Sequence, residues 1–86
     1  MNEFNFLKYP VATEKAIKIL EEENKLVFIV SLNSTKQQIK EAVEKALKVK
    51  VKKIRTLVRP QGDKKAYITL SKDTPAIDIA TELGLV

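Results

Sequence analysis

Neither histidine nor cysteine occurs in this 86-residue chain. Their absence removes the usual zinc ligands, the Ser-His-Asp triad, the Cys-His pair and every disulfide. Glycine is almost as scarce, with only Gly62 and Gly84, so no glycine-rich phosphate-binding loop can form. The carboxylates offer no acid-base pair either, because Glu41 and Glu44 fall beside Lys45 and Lys48 in the ordinary spacing of helix-face ion pairs. An enzyme is therefore not expected, nor a metal, a cofactor or a small-molecule substrate. No apolar run approaches the roughly 20 residues of a membrane-spanning helix. Met1, Asn2, Glu3, Phe4 and Asn5 lack the basic-then-apolar start of a secretory signal. With no cysteine to oxidise, a cytoplasmic setting without membrane insertion is expected.

What the chain does hold is positive charge in one place. Between Lys48 and Lys65 stand eight basic side chains (Lys48, Lys50, Lys52, Lys53, Arg55, Arg59, Lys64 and Lys65) against the single acid Asp63, which makes that window +7. The whole chain is only +5, so the remainder totals −2 and is close to neutral. A field this local is the footprint of a surface that displaces counterions from nucleic-acid phosphates. Hydrophobic residues at 44% and charged residues at 31% suit one folded domain over residues 1–86, with one modest core.

The pattern along the chain gives that core its elements. Tyr9, Pro10 and Val11 read as a short extended lead-in, and Thr13 with Glu14 supplies an N-cap and an acid for the first turn of a helix. Ala16, Ile17, Ile19 and Leu20 form its apolar side, and Glu21, Glu22, Glu23 and Asn24 end it in a solvated turn. Leu26 to Leu32 is apolar on both alternating faces, as in a strand covered on two sides. Ser34 with Gln37, or Thr35 with Gln38, makes a capping box ahead of Ile39, Ala42, Val43, Ala46 and Leu47, which repeat at helical spacing.

From Val49 to Val58, Ile54, Thr56 and Val58 share one side of a strand and Lys53, Arg55 and Leu57 the other. Val51 falls out of that phase, which predicts a bulge near Lys52 and Lys53 or a strand that starts there. Pro60, Gln61, Gly62 and Asp63 are turn residues, and Ala66, Ile68 and Leu70 alternate with Tyr67 and Thr69 in the returning strand of a hairpin. Asp73 or Thr74 can cap a last helix that has Pro75 near its start, Ile77, Ala80 and Leu83 inside and Gly84 at its end. The order α, β, α, β, β, α predicts an α+β fold, a small antiparallel sheet sandwiched between helices in α/β/α layers.

One alternative for the hairpin cations is protection of an edge strand, but that needs only one or two lysines per edge. Here both strands and the mouth of the loop are basic. Structured RNA is a better partner than a DNA sequence, since no helix-turn-helix or zinc-finger pattern is present. Exposed strand aromatics of the RRM kind are few. Phe28 sits among core residues, and the Tyr67 ring either packs under the final helix or lies against a base. Contacts to phosphate, 2′-hydroxyl and shape should dominate. Lys36 and Lys40, one turn apart on the central helix, and Lys15 after the Thr13 cap extend the basic surface.

Particular residues also resemble the universal large-subunit ribosomal protein family usually labelled L twenty-three. Lys64, Lys65, Ala66, Tyr67, Ile68, Thr69, Leu70 and Ser71, followed after seven residues by Ile79, look like the family's signature. Pro10 with Thr13, Glu14 and Lys15 joins it, as do Asn24 to Val30, Thr35 and Lys36 with Ile39 and Lys40, and Val51 to Leu57. The resemblance covers nearly the whole chain. It implies a non-catalytic ribosomal protein that binds large-subunit rRNA beside the polypeptide exit tunnel and helps dock nascent-chain factors such as the signal recognition particle. Its partners would be that rRNA, neighbouring large-subunit proteins and those factors. The family fold places the last strand between the two strands of a strand-helix-strand step.

The residues expected to meet rRNA are Lys8, Lys15, Lys36, Lys40, Lys52, Lys53, Arg55, Thr56, Arg59, Lys64 and Lys65. Glu14, an acid that phosphate repels, is expected on the factor-docking side. The hairpin loop, about Arg59 to Asp63, is shorter than in bacterial members, and the long basic extension of eukaryotic members is missing. Both point to an archaeal-type member. A phosphate-ester or acyl-phosphate hydrolase is the competing enzyme class, and it fails on the missing glycine loop. A module that binds an acidic protein through the same hairpin is the competing interaction class.

Overall fold

The computed structural model describes residues 7–85; the signal-peptide argument drawn from Met1 to Asn5 concerns residues outside that range. Its elements are β1 (Leu7–Pro10), α1 (Glu14–Glu23), β2 (Lys25–Val30), α2 (Lys36–Leu47), β3 (Val51–Val58), β4 (Lys64–Leu70) and α3 (Ala76–Glu82). The strands form one antiparallel sheet in the order β1-β2-β4-β3. β4 therefore lies between the two strands of the β2-α2-β3 step, as the family resemblance implied.

One strand was missed. Tyr9 and Pro10 of the lead-in belong to β1, which pairs Leu7 with Val30, Tyr9 with Ile29 and Pro10 with Phe28 across a bulge, and Val11 follows it. A four-residue strand ending in proline carries no legible alternation, and proline is tolerated there because β1 is an edge. At the other end of the pattern, β2 stops at Val30, so Ser31 leaves the strand and Leu32 is 43% exposed.

Alternation in β2 and β4 builds the core. Leu26, Phe28 and Val30 share a face with Ala66, Ile68 and Leu70, and that face packs on Ile39 and Val43 of α2 and on Ala76, Ile79 and Ala80 of α3. Each fully buried aliphatic side chain contributes about 1.5–3 kcal/mol. On the opposite face Val27 and Ile29 are buried, and Ala16 and Ile19 of α1 lie beside Val27 and Tyr67. Helices thus cover both sides of β2, as its two-faced apolar run requires.

Local signals fixed most boundaries. Thr13 Oγ1 accepts from the Ala16 N–H at 3.2 Å. Of the two capping boxes open in the sequence, the structure takes Thr35 with Gln38, each side chain bonding the other's backbone at 3.1 and 3.0 Å. The register of β3 against β4 shifts between Val51 and Lys53, which is the bulge that the phase break predicted. Glu41 and Glu44 do not pair with Lys45 and Lys48. Glu41 accepts from Gln37 Nε2, and half-buried Glu44 accepts from the Val51 N–H at 3.1 Å, tying α2 to the start of β3.

The last helix departs most from expectation. Neither Asp73 nor Thr74 caps it; Pro75 occupies the cap position without a side-chain bond. The cap comes from 52 residues away, where Asn24 Oδ1 accepts from the Ala76 N–H at 2.6 Å. The inward stripe is Ala76, Ile79 and Ala80, leaving Ile77 and Leu83 39% and 36% exposed. Asn24 Nδ2 also lies 3.1–3.3 Å from the carbonyl oxygens of Leu70, Ser71 and Thr74. Its backbone is left-handed (φ 55°), ending α1, a conformation asparagine tolerates better than most residues.

Asn24→Ala should destabilise the domain by about 1–3 kcal/mol, because it strips partners from several part-buried backbone groups and strains a left-handed residue. Asn24→Gly should lose less, since it keeps the backbone conformation. A urea melt of Asn24→Ala that overlays the parent would remove this junction from the account of stability.

Candidate nucleic-acid interface

The half of the sheet that α1 leaves open belongs to the hairpin. Lys53, Arg55 and Leu57 of β3 stand exposed, opposite Thr69, Tyr67 and Lys65 of β4. Where α1 meets this face there is a groove of about 260 Å³ lined by Lys15, Ile19, Glu23, Lys25, Arg55, Leu57 and Tyr67. Its one acid is engaged, with Glu23 Oε1 3.1 Å from Lys25 Nζ. Tyr67 lies on this face and not under α3, as one sequence alternative had it. The Lys65 ammonium stands 5.7 Å from its ring centroid, within cation-π range.

A second, smaller groove of about 150 Å³ lies on the α2 side of β3. Lys36, Gln37 and Lys40 of α2 meet Val51, Lys52, Lys53 and Ile54 there. Basic side chains therefore flank the edge strand β3 on both sides. Among the described residues the ion pairs are Lys25–Glu23 and Arg59–Asp63, so Lys15, Lys36, Lys40, Lys52, Lys53 and Arg55 carry uncompensated charge. Charges placed this way are poorly screened by their own protein and attract polyanions over about a Debye length.

Of the residues expected to meet RNA, two make bonds within the protein and a third is half-buried. Arg59 grips Asp63 with two bonds of 2.6 and 2.8 Å and reaches the Tyr9 hydroxyl at 3.5 Å. Lys64, half-buried, donates to the Ser34 carbonyl at 2.8 Å. Thr56 is half-buried opposite Ala66, on the side of the sheet away from Arg55. Lys8 is exposed on β1 and helps hold the Asp63 carboxyl down in pKa. Glu14 is exposed in the first turn of α1. The groove residues Ile19, Lys25 and Leu57 were not among the site residues expected from the sequence, since only the folded sheet brings α1 beside β3.

The Arg59–Asp63 pair locks the hairpin tip. The Arg59 N–H donates to the Asp63 carbonyl at 2.8 Å and the Gly62 N–H to the Arg59 carbonyl at 3.0 Å. Pro60 fits the second position of that turn, and Gly62 takes φ 94°, which a side chain would strain. The guanidinium holds the Asp63 carboxyl below its usual value and is itself raised by the carboxylate.

With this geometry established, comparison with known families is decisive: the family model described as Ribosomal protein L23 matches residues 5–79. The chain belongs to that family. It is accordingly a structural protein of the large ribosomal subunit, with a ribosomal location and a role in translation. The family is non-enzymatic, and its partners are rRNA and other ribosomal proteins. Among the described residues no helix is long and apolar enough to cross a membrane, and no cluster of acidic side chains could hold a metal ion.

Since the folded pKa of Asp63 lies below the unfolded one, the unfolded chain takes up the proton first. The pair's stabilisation is complete above the unfolded value of about 3.9 and is lost as pH falls through the folded one. Asp63→Asn should therefore melt earlier at neutral pH and show a flatter decline of melting temperature below about pH 4. An unchanged acid decline in that variant would mean that the pair contributes nothing to the pH dependence.

Proposed function

We propose that this chain binds large-subunit rRNA through the β3–β4 hairpin and the adjoining faces of α1 and α2, beside the polypeptide exit tunnel. The observation that carries the reading is the pair of cation-lined grooves flanking β3. Two grooves on either side of an edge strand suit irregular RNA, whose backbone turns around a protein surface, more than a straight duplex. Lys15, Lys36, Lys40, Lys52, Lys53 and Arg55 are the phosphate contacts; Arg59, Lys64 and Thr56 shape the hairpin that presents them. The three-residue tip between Arg59 and Asp63 supports an archaeal-type member, because a hairpin this short does not extend far into a tunnel. Glu14 belongs to the docking surface for nascent-chain factors such as the signal recognition particle. A carboxylate is repelled by phosphate and attracts a basic protein surface.

If these six phosphate contacts all engage, log K against log salt should fall with a slope of about −5, near −0.9 per contact on a duplex. Removing Lys53 and Arg55 together should lower its magnitude by about 2. Arg59→Ala should instead lower the melting temperature and change the slope little. Retention on purified large-subunit rRNA against an acidic protein competitor separates RNA binding from acidic-protein binding. A flat salt dependence would sink the electrostatic account.

For the docking role, large subunits reconstituted with Glu14→Lys should incorporate the protein normally and recruit the signal recognition particle less. Recruitment at the parental level would reduce Glu14 to a favourable charge at a helix N-terminus, worth about 0.3–1 kcal/mol.

A further inference from the structure

Phosphate binding needs cations and nothing else, yet the larger groove is built differently from the smaller one. The groove on the α2 side has cations and aliphatic walls but no ring. The one on the α1 side adds Tyr67, with Leu57 and Ile19 beside it and Arg55, Lys15 and Lys25 around the mouth. Leu57 is 46% exposed in this position, an apolar surface that packing inside the domain does not account for. Tyr67 is half-buried and so held in place by its neighbours. Lys65 borders the narrow crevice under α1 that also touches Tyr67 but does not line the larger groove. Tyr67 thus borders both the crevice and the larger groove.

An aromatic ring, two aliphatic walls and a rim of cations match the parts of one nucleotide. Bases stack on aromatic rings whatever their sequence, while phosphates need only positive charge. Resting on the RNA-binding reading above, we propose that the groove between α1 and the hairpin receives a single unstacked nucleotide. Its base lies against Tyr67 between Leu57 and Ile19, and its phosphates meet Arg55 and Lys15. A bulged or looped-out residue fits this requirement, because a base inside a helix has no free face. The two grooves then divide the work: the α2 side follows the backbone, and the α1 side selects RNA in which a nucleotide is already turned out.

The test uses two labelled RNA stems, identical but for a single-nucleotide bulge in one, titrated with the full chain at one salt concentration. The parent protein should bind the bulged stem more tightly. Tyr67→Leu, which keeps an apolar side chain in the half-buried site, should weaken binding to the bulged stem about tenfold or more and leave the plain stem unchanged. Tyr67→Phe should restore the preference, and melting curves for both variants confirm that the fold is retained. Equal affinity of the parent for both stems, or an equal loss on both in Tyr67→Leu, overturns the nucleotide site while leaving phosphate binding intact. Failure of the parent to bind either stem overturns both proposals. If Tyr67→Leu does not fold, Leu57→Ala, at the exposed wall of the same groove, carries the test, and loss of the bulge preference with the plain stem unchanged is again the expected result.

Discussion

Asn24 is the junction on which the arrangement of the other elements depends. Its left-handed backbone ends α1, and its carbonyl accepts from the Leu70 N–H at 3.1 Å, so β2 begins in register with the end of β4. Its side chain then holds the turn after β4 and starts α3. One short residue thus satisfies part-buried groups of β4, of the turn after it and of α3, and a buried group left unpaired costs about 1–3 kcal/mol. The short amide presents an accepting oxygen to the Ala76 N–H and a donating nitrogen to the carbonyls of the preceding turn at the same time.

Register fixed at that corner decides the chemistry two strands away. β4 is central, so its alternation is imposed on both neighbours: Ala66 and Ile68 turn toward α2 and α3, and Lys65 and Tyr67 turn to the other face. A slip of one residue would bury the cations and expose the core, so the apolar pattern strongly specifies the pairing. α1 is too short to cover the whole second face. It spans β2 and stops, and the uncovered part is where the sequence places Lys53, Arg55 and Leu57. The cationic face and the core are two sides of one pattern.

What was legible in the sequence was local. The Thr35 capping box, the bulge before Ile54, the proline-glycine turn and the two-faced run of β2 each depend on residues within a few positions of one another. Features that failed to show depend on distance in the chain. β1 exists because β2 offers an open edge, and α3 is capped across 52 residues by Asn24. The face occupied by Tyr67 follows from pairing with Arg55 and Val27 and not from its own neighbours. Charge had the same limit. A count of cations between Lys48 and Lys65 finds the surface, but it cannot distinguish Arg59 and Lys64, which have partners, from Lys52, Lys53 and Arg55, which do not.

That distinction links folding to binding. Arg59 and Asp63 cancel one another, so the hairpin tip is stiffened without adding net charge to the surface. The unpaired cations around β3 oppose the folded state through mutual repulsion, which is strongest at low salt where the Debye length is long. A polyanion on the hairpin relieves that repulsion while binding only the folded form, so it stabilises the domain by mass action as well as by contact. With uncompensated charge gathered in the two grooves that flank β3, the domain is most stable when a polyanion occupies them. A protein designed to remain free in solution has no use for such an arrangement, whereas a permanent component of a ribonucleoprotein does.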